Sequence, residues 1–229
     1  MTAAHLPPLG PPVGTERATP HPWEPPSPRV VFAEAGFAKV RFLEAEADPR
    51  IVLDQADAGL VVVGPKGAGA LKALHVGSTT EYLLHHPRVP LAIVRSATTV
   101  RRVLVAADGS SHAQRAVEAL AAMPWVDQLE QVEVLGMPTT GIDDDTNEIR
   151  AGVERAIDTL GDVGVKGDGV EAAGPTAATI LQHAQDLQAD LVVLGTRGIG
   201  GLRRLVLGST ASAVARIAPC TVLVASADE

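Results

Sequence analysis

The stretch Val192–Thr210 reads Val-Val-Leu-Gly-Thr-Arg-Gly-Ile-Gly-Gly-Leu-Arg-Arg-Leu-Val-Leu-Gly-Ser-Thr. It opens as an apolar strand, breaks into a glycine-bearing loop, and closes on Gly208-Ser209-Thr210, where a helix starts. A strand of this kind delivers the chain to the carboxyl edge of a sheet. Glycines at 195 and 198 then let bare backbone approach a neighbour closely. After nine intervening residues, a helix amino terminus carrying Ser209 offers N–H donors and a hydroxyl to an anion. Together these parts make a phosphate cradle. Tight strand–helix packing without a ligand is the competing reading, since Ser209 is also a good helix cap.

The pattern stands twice in the chain. Val61–Thr79 aligns with Val192–Thr210 at a constant offset of 131, and ten of the nineteen positions are identical, Gly64, Gly67, Gly77 and Ser78 among them. Identity at spaced glycines marks a duplicated unit. Beyond it, Pro90–Val94 reads as the counterpart of Pro219–Leu223. Lys66 and Arg197 share one loop position, where a cation either meets phosphate or stands solvated. Arg203-Arg204 pose the same choice, and a solvated face is the preferred answer there.

Around the two copies, strands alternate with amphipathic helices, the signature of a doubly wound, mostly parallel sheet. Short strands are expected at Val40–Leu43, Leu60–Val63 and Pro90–Val94, with helices opening at Asp48-Pro49 and spanning Ser78–His85. A second series starts with the strand Val103–Ala106, whose Asp108-Gly109-Ser110 turn leads to a helix capped by Ser110. Gln131–Leu135 follows. The loop Asp143–Asp145 is read as hydrated, with Asp145 and Glu148 as a capping box for a helix bearing Ile149, Val153, Ala156 and Leu160 on one face. A strand within Val163–Val170, a helix opened by Gly174-Pro175, the strand Leu191–Leu194, the helix Ser209–Ile217 and the strand Thr221–Val224 complete the series. His112 is placed on the outer start of its helix, without a catalytic role.

The repeat also exposes a gap. Subtracting 131 from 108 puts the first copy's equivalent of Asp108 at −23, so that copy lacks its opening strand and helix. Three arrangements answer this: the two units share one sheet, a partner chain supplies the edge, or the polypeptide begins further upstream. Residues 1–28 hold nine of the seventeen prolines and no periodic apolar pattern, so they read as a disordered or surface-lying tail. The expected organisation is that tail, a truncated unit over 29–97, a linker at Ser96–Val100, and a complete unit over 101–227.

Composition narrows the class. A net charge of −8 argues against bulk electrostatic partnership with nucleic acid or anionic lipid. The single Cys220 lies in an apolar run, which makes it a small buried hydrophobe and rules out an intrachain disulfide. No run approaches the ~20 apolar residues of a membrane span, and the start lacks a secretory pattern. A cytoplasmic protein is expected. No Walker Gly-x4-Gly-Lys-Ser/Thr, no nucleophile paired with a base and no metal-ligand cluster is visible, so binding parts are present and catalytic parts are not.

At this point the residues resemble a known family. Val103-Leu104-Val105-Ala106-Ala107-Asp108-Gly109-Ser110, followed in order by Gly195-x2-Gly198-x9-Gly208-Ser209, resembles the universal stress protein family from Arg101 to Ala227. The first unit resembles it only from Val40 to Arg95. The resemblance implies a five-stranded parallel sheet of the adenine nucleotide alpha hydrolase-like type, with ligand at the strands' carboxyl ends. It implies ATP, with magnesium, in the second unit. Asp108 would contact the adenosine moiety, and Ala106 would line the base pocket with a smaller wall than the proline or valine usual in the family. Leu194 and Gly195 would close around the adenosine, with Arg197, Gly198, Gly208, Ser209 and Thr210 at the phosphates. In the first unit Gly64, Gly67, Gly77 and Ser78 persist without a partner for Asp108, so that copy is expected to be a relic. The expected function is ATP binding in stress response or signalling. The units are expected to pair through Pro90–Val94 and Pro219–Val224 within one chain, or as a homodimer through those strands. A scaffold protein with vestigial glycine loops and, further off, a weak ATPase are the alternatives.

Overall fold

The computed structural model describes residues 46–66, 76–95, 99–137, 143–198 and 207–227. The tail, the Val40–Leu43 strand, Gly67, Arg203-Arg204 and part of the linker lie outside the described residues, as do the side chains of Asp143–Asp145. In chain order the elements are α1 (Pro49–Asp54), β1 (Val61–Val63), α2 (Ser78–His85), β2 (Leu91–Ile93), β3 (Arg102–Ala106), α3 (Ser111–Ala121), a short 3-10 turn (Val126–Gln128), β4 (Gln131–Gly136), α4 (Asp143–Gly161), β5 (Gly167–Glu171), α5 (Thr176–Asp186), β6 (Leu191–Gly195), α6 (Ser209–Ile217) and β7 (Thr221–Ala225).

The strands form one sheet in the order β1-β2-β7-β6-β3-β4-β5. The five strands from β3 onward are parallel to one another, as are β1 and β2, and among the described residues the one antiparallel seam lies between β2 and β7. The complete unit supplies the five strands expected of it, β3 to β7, and the incomplete copy adds β1 and β2, making seven among the described residues. Both copies contribute to one sheet, and strand pairing satisfies backbone groups that a separate two-stranded remnant would leave open.

Apolar periodicity accounts for the layers. The inner strands β2, β7, β6 and β3 are near-continuous apolar runs buried on both faces, as parallel strands under helices must be, while the edge strands β1 and β5 are partly exposed. Leu83 and Leu84 of α2, Ile180 and Ala184 of α5, and Val214 and Ala215 of α6 pack on one face with Leu53 of α1. Ala116, Val117 and Leu120 of α3 and Val153, Ala156 and Leu160 of α4 pack on the other.

Two expectations need correction. Helix α4 begins at Asp143, so Asp145 lies inside the first turn and cannot be its cap. The second correction concerns the repeat. Val61 faces Leu91 and Val192 faces Val222, so the offset of 131 runs on into β2 and β7. Leu91 thus corresponds to Val222, two residues beyond Cys220, with which an alignment of the prolines Pro90 and Pro219 would match it.

Candidate functional site

Strand β3 lies centrally, with β4 on one side and β6 on the other. Its carboxyl end and that of β6 face the same edge at the point where the connections diverge, which is where open α/β sheets bind ligands. Ala106 ends β3, and the next amide, Ala107 N–H, donates to Leu135 O at 3.0 Å. The turn after it is tightly specified. Asp108 Oδ1 accepts from Ser110 N–H at 3.0 Å, and Gly109 has a φ of +88°, the left-handed region that favours glycine. Ser110 then does two jobs with one hydroxyl. Its oxygen accepts from Ala113 N–H at 3.1 Å, capping α3, and its proton goes to Arg197 O at 3.2 Å in the loop after β6.

The glycine loop meets this turn directly. A Cβ on Gly198 would collide with Asp108 Oδ2, so only glycine lets the loop backbone lie against that carboxylate. A Cβ on Gly195 would come 2.6 Å from Ala113 N and from His112 C, so the end of β6 is pressed onto the start of α3. Leu194 is 3% exposed, and its side chain belongs to the core.

The base of the loop is closed by Thr196, which is fully buried at 0% exposure. Its N–H donates to Ala225 O at 2.8 Å, and its carbonyl accepts Gly208 N–H at 2.7 Å. Gly208 is the N-cap of α6 in an extended conformation, with no side-chain cap bond. Ser209 is the first helical residue rather than the cap, and Thr210 follows it. The amide groups of this first turn therefore face outward without a side-chain acceptor from the cap, while Ser110 fills that role for α3.

Several participants escaped the reading of the sequence. His112 is half-buried, and its Nδ1 lies 3.2 Å from Thr196 Oγ1 and 2.9 Å from Ala227 N, so it points inward, contrary to the outer placement expected of it. Gly152 of α4 sits on Gly109 so closely that a Cβ would strike its Cα and N. Arg155 Nη2 donates to Gly109 O at 3.0 Å, fixing the same turn from α4. A glycine inside a long helix was the one available signal for this contact.

In the first copy the equivalent loop base is kept. Gly77 N–H donates to Pro65 O at 2.6 Å, and Thr80 Oγ1 donates to Gly64 O at 3.0 Å. Ser78 again opens a helix capped by glycine. Among the described residues, however, β1 pairs only with β2 and has no β3-like neighbour bearing an aspartate.

Comparison with known proteins agrees with this architecture. The model of the Universal stress protein family matches residues 35–95 and 99–226. A universal stress protein of Mycolicibacterium smegmatis is 33% identical over 202 residues, covering 80% of this chain and 67% of that protein. Universal stress protein YxiE of Bacillus subtilis is 29% identical over 143 residues, 54% of this chain and 97% of its own length. Universal stress protein Rv2005c of Mycobacterium tuberculosis is 30% identical over 199 residues, and the match spans 65% of its length. The chain thus spans about two thirds of the mycobacterial relatives. Among solved structures, a universal stress protein from Archaeoglobus fulgidus superposes with a TM-score of 0.60 at 27% identity, covering 78% of this chain and 67% of that one. Because the family match runs through both copies of the repeat and every strand of the sheet, the chain belongs to the universal stress protein family.

Proposed function

We infer that the second copy binds an adenine nucleotide, ATP, and that the protein acts in stress response or signalling through the bound state rather than through turnover. One observation carries this reading. Asp108, the bare backbone of Gly198 and the glycine-capped start of α6 converge on one sheet edge, and a Cβ on Gly198 would strike the Asp108 carboxylate. A Cβ on Gly208 would come 3.1 Å from Thr196 O, which is already tight.

In this reading Asp108 accepts hydrogen bonds from the adenosine part, near Ala106 and the backbone of Leu194 and Gly195. Gly198, Gly208, Ser209 and Thr210 present N–H and hydroxyl donors to phosphate, with Arg197 on the same loop. Magnesium would travel on the phosphates. The first copy, with no aspartate-bearing neighbour for β1 among the described residues, does not share this role. A cytoplasmic setting belongs to the same proposal.

Calorimetry with ATP tests it. The wild type should bind, and Gly208→Val should abolish binding by crowding the loop base. Asp108→Ala should weaken binding about 10–150-fold, the range expected for a lost hydrogen bond to a charged acceptor. Absence of heat with the wild type would return the loops to a packing role, the scaffold reading. Turnover on the scale of ordinary enzymes, about 1–1000 per second, would instead show catalysis.

A further inference from the structure

We propose that His112 is a positioning residue for the glycine loop, acting as a neutral hydrogen-bond acceptor that ties the exits of β6 and β7 together beneath the ligand edge. Three polar groups gather at one nitrogen, whose single lone pair the Ala227 N–H shares with a hydroxyl. Ala227 N–H reaches His112 Nδ1 at 2.9 Å, Thr196 Oγ1 lies 3.2 Å from it, and Ser226 Oγ lies 3.3 Å from it. Ser226 Oγ also donates to Ala227 O at 3.2 Å, which makes Thr196 the hydroxyl that turns its proton toward the ring. A backbone N–H can only donate. Nδ1 is therefore unprotonated, and the ring carries its proton on Nε2.

The bond matters because of what Thr196 does with its other groups. Its carbonyl holds Gly208 N–H and its amide is held by Ala225 O, so it is the residue on which the loop closes before α6 begins. With its side chain anchored on His112, Thr196 has all three polar groups engaged inside the protein. The backbone that carries the ring has little room to shift. Gly195 is packed against the His112 backbone and Cβ so closely that a Cβ there would lie 2.6–2.8 Å from them. The start of α3 is thus set against the end of β6, and the imidazole is set with it.

The first copy supplies a contrast. At the offset of 131 the counterparts of Thr196 and Ser226 are Pro65 and Arg95. The backbone closure is retained there as Gly77 N–H to Pro65 O, but Pro65 has no hydroxyl to anchor. Arg95 turns away to donate to Cys220 O and Ala215 O. The side-chain anchor is therefore a feature of the copy that keeps the Asp108 turn.

Amide hydrogen exchange followed by NMR on the full ligand-free chain tests this. In His112→Leu the Gly208 and Ala227 amides should exchange about 3–10-fold faster than in the wild type, as loss of one net hydrogen bond predicts. The Val132 and Val134 amides of β4 should be unchanged. His112→Asn places a carbonyl oxygen near the position of Nδ1 and should restore wild-type exchange. Thr196→Val should match His112→Leu at Gly208, with no further gain in the double variant. Unchanged exchange at Gly208, equal acceleration throughout the sheet, or an Asn variant that behaves like Leu would each overturn the proposal.

A second arm rests on the nucleotide reading. ATP affinity should fall about 3–10-fold in His112→Leu and recover in His112→Asn. Wild-type binding with undiminished affinity in His112→Leu overturns the positioning role. A wild type that fails to bind ATP overturns the nucleotide reading alone, and the exchange arm still decides this one.

Discussion

At the scale of single residues, two glycines of α4 separate packing from propensity. Gly152 lies against Gly109, and a methyl group there would strike the backbone of the turn that carries Asp108. Gly161, at the far end of the same helix, has nothing within 4 Å of its added Cβ. Gly152→Ala should therefore cost about 1–3 kcal/mol through overpacking. Gly161→Ala should be neutral or stabilise by about 0.5–1 kcal/mol through helix propensity. Urea denaturation of the two variants checks this, and equal effects would mean that α4 does not clamp the turn. Gly198 and Gly208 were legible in the sequence because their spacing is repeated. Gly152 was not, since a helical glycine announces a missing side chain but not the neighbour that requires it. His112 was misplaced for a related reason. Helical periodicity gives the face of a side chain along its own helix, and near the first turn that face looks onto strand ends whose positions only the fold supplies.

At the scale of elements, β1 and β6 form a natural control. Val62 and Val193 are equivalent at the offset of 131, and each lies between the two residues that pair with the neighbouring strand's Leu91 and Ile93, or Val222 and Val224. Val193 is 0% exposed under α3, whereas Val62 is 57% exposed. Val193→Ala should therefore cost about 1.5–3 kcal/mol, combining lost methyl burial with a cavity. Val62→Ala should stay within about 0.5 kcal/mol. Denaturant midpoints for the pair measure the difference, and a comparable loss at Val62 would show that its face is covered in solution. The element types were readable from periodicity and caps, including Ser110, whose hydroxyl caps α3. Ends and register were less so. Asp145 resembled a cap by spacing alone while the helix had already started at Asp143. Two prolines suggested a strand alignment that hydrogen-bond pairing moves by two residues.

At the scale of the whole molecule, the seam between β2 and β7 decides whether the protein behaves as one cooperative unit. Ala92 faces Leu223, and these two are equivalent in the repeat, so the antiparallel pairing is centred on a local pseudo-two-fold axis. Side chains reinforce it. Arg95 donates to the carbonyls of Ala215 and Cys220 near the end of α6, and Glu81 of α2 accepts from Arg216 of α6. The apolar core also runs across the seam, joining Leu83, Leu84 and Ile93 to Val214, Cys220 and Val222. Pulling the two copies apart would expose this shared surface and strand the carbonyls that Arg95 satisfies, which opposes stepwise unfolding. Two built-in probes report on it. Cys220 is 6% exposed at the seam, and burial pushes its thiol above the usual range, so it should resist alkylation in the folded protein. Trp125 packs against the other cluster, in the segment that leads into β4, which three strands separate from β2 in the sheet. In a guanidinium titration, Cys220 labelling and Trp125 fluorescence should change at one midpoint, as a two-state transition requires. Trp23 is replaced by Phe so that the fluorescence has one source. Labelling of Cys220 at a clearly lower denaturant concentration would mean that β1 and β2 leave the sheet first, and that the seam joins two folding units rather than completing one.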